Sequence, residues 1–219
     1  MIFATKPKAR FKNRTEAGRC LAPLLAARAY AAPVVYALPR GGVPVAIPIA
    51  EALGAPLDLI LVRKLGVPWQ PELGFGALAE GLDKPLINQE VVAHAGLTEE
   101  AMALVIAREK AELARRAALY LAGRKRTMPK GRIAILVDDG LATGFTARAA
   151  LHALRKRGAA RLILAVPVAA PESIAALKDV ADDIIAVETE EFHGGISASY
   201  DDFHQLSDTE MLALMATAS

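Results

Sequence analysis

Residues 135–146 read ILVDDGLATGFT. The apolar run Ile133–Val137 is continuous, as in a strand buried on both faces, and it ends in two adjacent aspartates. A carboxylate at such a position needs a cation, a hydroxyl or backbone N–H groups. Successive strand residues point to opposite faces, so Asp138 and Asp139 need not share one role. The turn at 140–146 then enters a predicted helix over 145–157. Its backbone N–H groups and the helix N-terminus suit an anion. Thr143 and Thr146 add hydroxyls, and Gly144 permits close backbone approach. A phosphate in the turn, with sugar hydroxyls at the acids, satisfies both halves and describes a ribose 5-phosphate group. The plainer alternative is a capping turn with Asp139 or Thr143 as N-cap. A dinucleotide fingerprint does not fit the glycine spacing, and no GK[ST] follows to make a Walker A loop.

Working outward, apolar runs alternate with helical patterns. Thr15 is a candidate cap for a helix to about Tyr30. Val34–Leu38 and Leu57–Val62 read as buried strands, with a helix over Val43–Leu53 between them despite Pro44 and Pro48. Residues 68–92 read as an irregular excursion holding a hairpin, with Leu78–Gly81 and Leu86–Val92 as arms. Thr98 caps a long helix to about Ala122, opened by Glu99 and Glu100. Leu162–Val166, a short helix at Pro171–Leu177 and Ile184–Val187 complete the series. The fold class is therefore α/β: a mostly parallel sheet of about five strands in three α/β/α layers. Ligands of such sheets bind beyond the strand carboxyl ends. There the sequence places Pro39-Arg40-Gly41-Gly42, Arg63-Lys64-Leu65-Gly66 and Asp138-Asp139-Gly140.

The 219 residues are 53% hydrophobic, enough to bury one full core, so a single domain over 1–219 is expected. With 26 basic and 24 acidic residues, the net charge of +2 selects no partner. One cysteine, Cys20, excludes a disulfide framework and a cysteine metal cluster, and points to a cytoplasmic setting. The alanine-rich stretch 21–32 is read as helix rather than signal peptide, because Arg28 interrupts it. No run is long enough for a membrane span.

VDDGLATGFT resembles the phosphoribosyl-pyrophosphate loop of type I phosphoribosyltransferases: apolar residues, two acids, a few small residues, then Thr-Gly and a closing Thr or Ser. The resemblance implies that Asp138 and Asp139 bind the ribose 2- and 3-hydroxyls, and that Ala142, Thr143, Gly144, Phe145 and Thr146 wrap the 5-phosphate. ALPRGGVPVA is similar to the family's pyrophosphate loop, where Gly41 and Gly42 would offer N–H groups and Arg40 charge. The family often holds a non-proline cis peptide there. LVRKLGVP resembles a stretch of adenine phosphoribosyltransferases, implying Arg63 and Lys64 as pyrophosphate contacts. The implied catalytic set is Arg40, Lys64, Asp138 and Asp139, with Mg²⁺ at Asp138 and Asp139. The implied substrates are phosphoribosyl pyrophosphate and an unidentified nitrogenous base. The implied strand order, counted along the core, is 2-1-3-4-5. The implied core is about 30–190, with a small hood from 1–30 and 188–219. Many relatives are homodimers, which makes a dimer the expectation.

The position before Thr143 is Ala142, where some members carry a carboxylate, so hypoxanthine/guanine chemistry is disfavoured. Glu72 is a candidate base in a loop that closes over the site, and Trp69 either covers a base or anchors the loop. Phe192, Tyr200 and Phe203 are candidates to stack on a ring, with Asp201 and Asp202 facing its nitrogens. His193 and His204 read as surface or structural residues. PELGFGALAEG and the YDDF segment resemble a loosely characterised branch of predicted phosphoribosyltransferases. The rival readings are a regulatory protein binding phosphoribosyl pyrophosphate, nucleotide or RNA, and a partner protein without turnover. GRKRTMPKGR at 123–132 is basic but lacks aromatics for base stacking, so RNA is not expected.

Overall fold

A computed structural model describes residues 11–191 and 195–217. Its elements are α1 (Arg14–Ala26), β1 (Val34–Ala37), α2 (Gly42–Leu53), β2 (Leu57–Leu59), β3 (Val62–Val67), β4 (Gln70–Ala79), β5 (Leu86–Ile87), α3 (Gln89–Ala95), α4 (Glu99–Tyr120), β6 (Ile133–Val137), α5 (Phe145–Lys156), β7 (Arg161–Ala169), α6 (Pro171–Leu177), β8 (Asp183–Thr189) and α7 (Asp208–Thr217). A single 3-10 turn, Ile196–Ser199, lies between β8 and α7.

Five strands form a parallel sheet in the order β2-β1-β6-β7-β8, the 2-1-3-4-5 order expected. Both faces are covered, as the apolar runs of β1, β6 and β7 require. Tyr36, Leu136 and Leu164 pack with Ala150, Leu151 and Leu154 of α5 on one face. Ile135, Val137 and Ile163 pack with Leu21 of α1, Ile49 of α2 and Met211 of α7 on the other. α1 and α2 approach closely: a Cβ on Gly18 would lie 2.3 Å from the Val45 carbonyl oxygen.

Four expectations are corrected. The α1 cap is Asn13, not Thr15: Asn13 Oδ1 accepts from Glu16 N at 3.0 Å. The helix ends at Ala26, and Ala29 and Ala32 then adopt positive φ, which no helix continues through. The second strand ends at Leu59, and Val62 opens a separate antiparallel sheet, β3-β4-β5. Its main hairpin pairs 62–67 with 70–79, and Asn88 caps α3 where an arm was expected. Gly66 and Gly76 lie in strands because neighbouring backbone is too close for a side chain: a Cβ would stand 2.4 Å from the Pro71 oxygen and 2.6 Å from the Leu86 oxygen. Trp69 is 63% exposed at the hairpin tip and anchors no core. Helix α7 had no sequence assignment at all.

Candidate active site

The acid pair follows β6, at the carboxyl end of the sheet's central strand. Asp138 Oδ1 accepts from Asp139 N at 2.9 Å. Burial, and secondly the charge of Asp139, push the Asp138 carboxyl well above the usual carboxylate range. Asp139 turns toward the β1 turn. A Cβ on Gly41 would lie 2.0 Å from Asp139 Oδ2, and one on Gly42 would lie 2.6 Å from the Val137 oxygen. These two glycines are therefore required by the packing of one turn against the other. The turn holds a cis peptide between Pro39 and Arg40, at the place the resemblance implied. No side chain caps α2, whose N-terminus opens at Gly41 and Gly42.

The loop after the acids is pinned at one residue. Leu141 N donates to the Val168 oxygen and the Leu141 oxygen accepts from Ala170 N, both at 2.9 Å, a bridge to the end of β7. The Ser173 hydroxyl donates to the Ala142 oxygen. Gly144 has φ +73°, and α5 starts immediately after it with no side-chain cap. Asp138 through Thr146, with Ile196, line a pocket of about 140 Å³. An uncapped helix start presents N–H donors and the positive end of the helix dipole, which is the chemistry of anion binding.

A second cleft, about 430 Å³, opens on the other side of Asp139. Arg14, Arg40, Gly41, Arg63, Arg116, Phe203, Gln205 and Leu206 line it, with no carboxylate among them. Each arginine is held from behind. Arg40 meets Asp208 at 3.0 Å, Arg63 meets Glu109 at 2.6 Å and Arg116 meets Glu112 at 2.8 Å. Asp208 also accepts from Tyr120 and from Arg115. The charges are thus fixed on rigid elements, pointing one cationic wall into the cleft.

Asp138, Asp139 and the 142–146 loop line the smaller pocket, Gly42 packs on the Val137 oxygen, and Arg40 and Gly41 line the cleft. Arg63 joins it, from within β3 rather than after β2. Lys64 lies on the adjacent strand position, is exposed, and donates to the Glu72 oxygen; it is not among the residues lining either space. Glu72 is exposed on β4. Phe192 and His193 lie outside the described residues. Tyr200 is buried, and its hydroxyl donates to the Asp139 oxygen at 2.6 Å, a supporting contact rather than an open stacking face. Phe203 carries the Arg14 guanidinium 3.7 Å above its ring. His204 is exposed between Asp202 and Glu210. Sequence reasoning missed Arg14, Arg116 and Asp208. Arg14 Nε donates to Asp139 Oδ2 at 2.7 Å across 125 positions, so no local pattern could reveal it.

Among the described residues no three His, Cys, Asp or Glu side chains gather as a metal cage. A cation here would rest on the acid pair alone, completed by ligand oxygens and water. That donor set suits Mg²⁺, which keeps several waters and commonly uses one or two carboxylates beside substrate oxygens.

The chain is 37% identical to TT1426 from Thermus thermophilus, a crystal structure it matches with a TM-score of 0.79 over 96% of this chain and 99% of that one. It is 44% identical over 208 residues to a Mycobacterium tuberculosis protein named "Putative phosphoribosyl transferase Rv0571c". That match takes in 95% of this chain and 47% of the relative, so the chain spans about half the length of the curated relatives it matches. A segment of 60 residues, 27% of this chain and 29% of the relative, is 47% identical to a uracil phosphoribosyltransferase of Lactobacillus gasseri. The pattern of the phosphoribosyl transferase domain matches residues 19–202, which take in the Gly41 turn, the acid pair and the loop after it; the chain belongs to that family.

Proposed function

We propose that the chain transfers a phosphoribosyl group from phosphoribosyl pyrophosphate to a nitrogenous base. The observation that supports it is the acid pair set between an uncapped helix start and an arginine-lined cleft. In this reading the 142–146 backbone and the Thr143 and Thr146 hydroxyls hold the 5-phosphate, and Asp138 and Asp139 hold the sugar hydroxyls. Gly41, Gly42, Arg40 and Arg63 hold the diphosphate. The C1–O bond breaks and its electron pair leaves with the diphosphate. The base nitrogen bonds C1 and gives up its proton to solvent. Positive charge develops on the sugar, so fixed cations at the departing oxygens and fixed orientation contribute most of the rate. Mg²⁺, when bound, neutralises part of the leaving group's charge. Lys64, expected beside Arg63 at the diphosphate, lies on the hairpin surface, and Ala142, as expected, offers no general base.

In the basic segment 123–132, Arg126 and Arg132 are engaged within the chain, which leaves less of its charge to a nucleic acid. Arg126 is spent on Asp58 and Glu80, and Arg132 on the Ala32 and Pro33 oxygens.

The test is pyrophosphate release from phosphoribosyl pyrophosphate and Mg²⁺ over a panel of purines, pyrimidines and ring acids, with an acceptor-free control. Release with one acceptor is the expected result. Asp138→Asn combined with Asp139→Asn should abolish donor binding by titration while the fold survives; unchanged donor affinity would remove both acids from the site.

A further inference from the structure

Arg14 opens α1, nine-tenths buried, yet it forms part of the cleft wall beside Gly41. Three contacts fix its guanidinium. Nε donates to Asp139 Oδ2 at 2.7 Å, Nη1 donates to the His204 oxygen at 3.0 Å, and the plane lies 3.7 Å over the Phe203 ring. No buried side-chain nitrogen among the described residues lacks a partner. Nη2, which those contacts leave over, is therefore not fully buried. Asp139 Oδ2 lies against both Arg14 and the backbone of Gly41, so the guanidinium and the Gly41 turn flank one oxygen atom. A phosphate on the Gly41 turn would lie next to Arg14, which lines the same cleft.

We infer that Arg14 is a binding residue for the diphosphate of the sugar donor, held by Asp139, His204 and Phe203 so that its free edge meets the phosphate nearest C1. The inference rests on the phosphoribosyl reading above and assigns it a residue from the first helix. A planar guanidinium with two of its nitrogens already engaged loses little freedom on taking a further oxygen. Its charge is balanced by Asp139 before the ligand arrives, so burying it does not leave an isolated cation.

The experiment titrates inorganic pyrophosphate and ribose 5-phosphate separately, each with Mg²⁺, into wild type, Arg14→Met and Arg14→Lys. Thermal unfolding of each protein is recorded alongside. Arg14→Met should weaken pyrophosphate at least about tenfold, with ribose 5-phosphate changed less than about twofold; Arg14→Lys, which keeps charge but loses the fork, should fall between. Equal weakening of both ligands overturns the inference, since Arg14 would then act only by holding Asp139. So does unchanged pyrophosphate affinity in both variants. If Arg14→Met does not fold, Arg14→Lys decides by the same ratio. Wild type binding neither ligand overturns the phosphoribosyl reading and this inference with it; wild type binding both, indifferent to Arg14, overturns the inference alone.

Discussion

Gly41 has no room for a side chain. A methyl group there would stand 2.0 Å from Asp139 Oδ2, so Gly41→Ala must displace either the carboxylate or the turn. We expect a loss of about 1–3 kcal/mol of stability in denaturant unfolding, and donor affinity at least about tenfold weaker by titration. Asp138 behaves in the opposite sense. Its carboxyl titrates above the unfolded value because burial, and then Asp139, penalise the charge. The folded state therefore binds that proton more tightly, and stability falls as pH rises through the interval between the two values. Asp138→Asn should raise the unfolding temperature at pH 7.5, an advantage that shrinks as pH falls and the wild-type carboxyl protonates. A variant less stable than wild type at pH 7.5 would contradict this. Asp138, Asp139 and 142–146 were legible because they are contiguous, and their chemistry is odd for a strand end. Arg14 and Asp208 were not, because their meaning lies in partners 125 and 168 positions away.

At the scale of elements, α5 is the one whose start decides the site. Gly144 sits at φ +73°, and a Cβ there would come within 3.2 Å of Leu177 Cδ1 on α6. Gly144→Ala should cost about 1–2 kcal/mol and weaken inorganic phosphate and ribose 5-phosphate together, because the helix N-terminus moves with the turn. Loss of stability with phosphate affinity intact would separate the turn from the anion site. Four of the five sheet strands were readable because each holds an apolar run between turn residues; β2 was readable in spite of Asp58, whose carboxylate takes Arg126 and the Thr127 N–H. A hairpin with an arm from Leu86 was readable, and β4 does pair with Leu86–Ile87, but the pairing of 62–67 with 70–79 was not. The glycines at 66, 74 and 76 look like turn punctuation in one dimension, whereas in three dimensions they let neighbouring strands come close. The cap of α1 was misplaced by two residues, since Asn13 and Thr15 are both good capping types and only the backbone chooses between them.

Over the whole molecule, α7 returns to the sheet and ties Arg40 in place. Met211 and Met215, one helical turn apart, bury themselves beside α2, while Asp208 at the helix start accepts from Arg40, Arg115 and Tyr120. So short a buried stripe gives weak periodicity, which is why the helix was not seen in advance. The Tyr120 hydroxyl first, and then Arg40, hold the Asp208 carboxyl below the usual carboxylate range. Its contribution is thus present above the unfolded value, near pH 4, and lost as pH falls through the lower folded value. Asp208→Asn should cost about 1 kcal/mol at pH 7 and nearly nothing in strong acid, with weaker pyrophosphate binding at neutral pH; an equal deficit at both pH values would deny the carboxylate this role. The chain also closes on itself elsewhere: Phe11 bridges Tyr200, and Tyr200 supports Asp139. This closure has a consequence for synthesis. A ribosome delivers Arg14 before Asp139 and Asp139 before Asp208, so the five sheet strands are made before the residue that holds Arg40. A growing polypeptide that has not yet reached Asp208 can hold a nearly finished core and still lack the carboxylate that fixes Arg40.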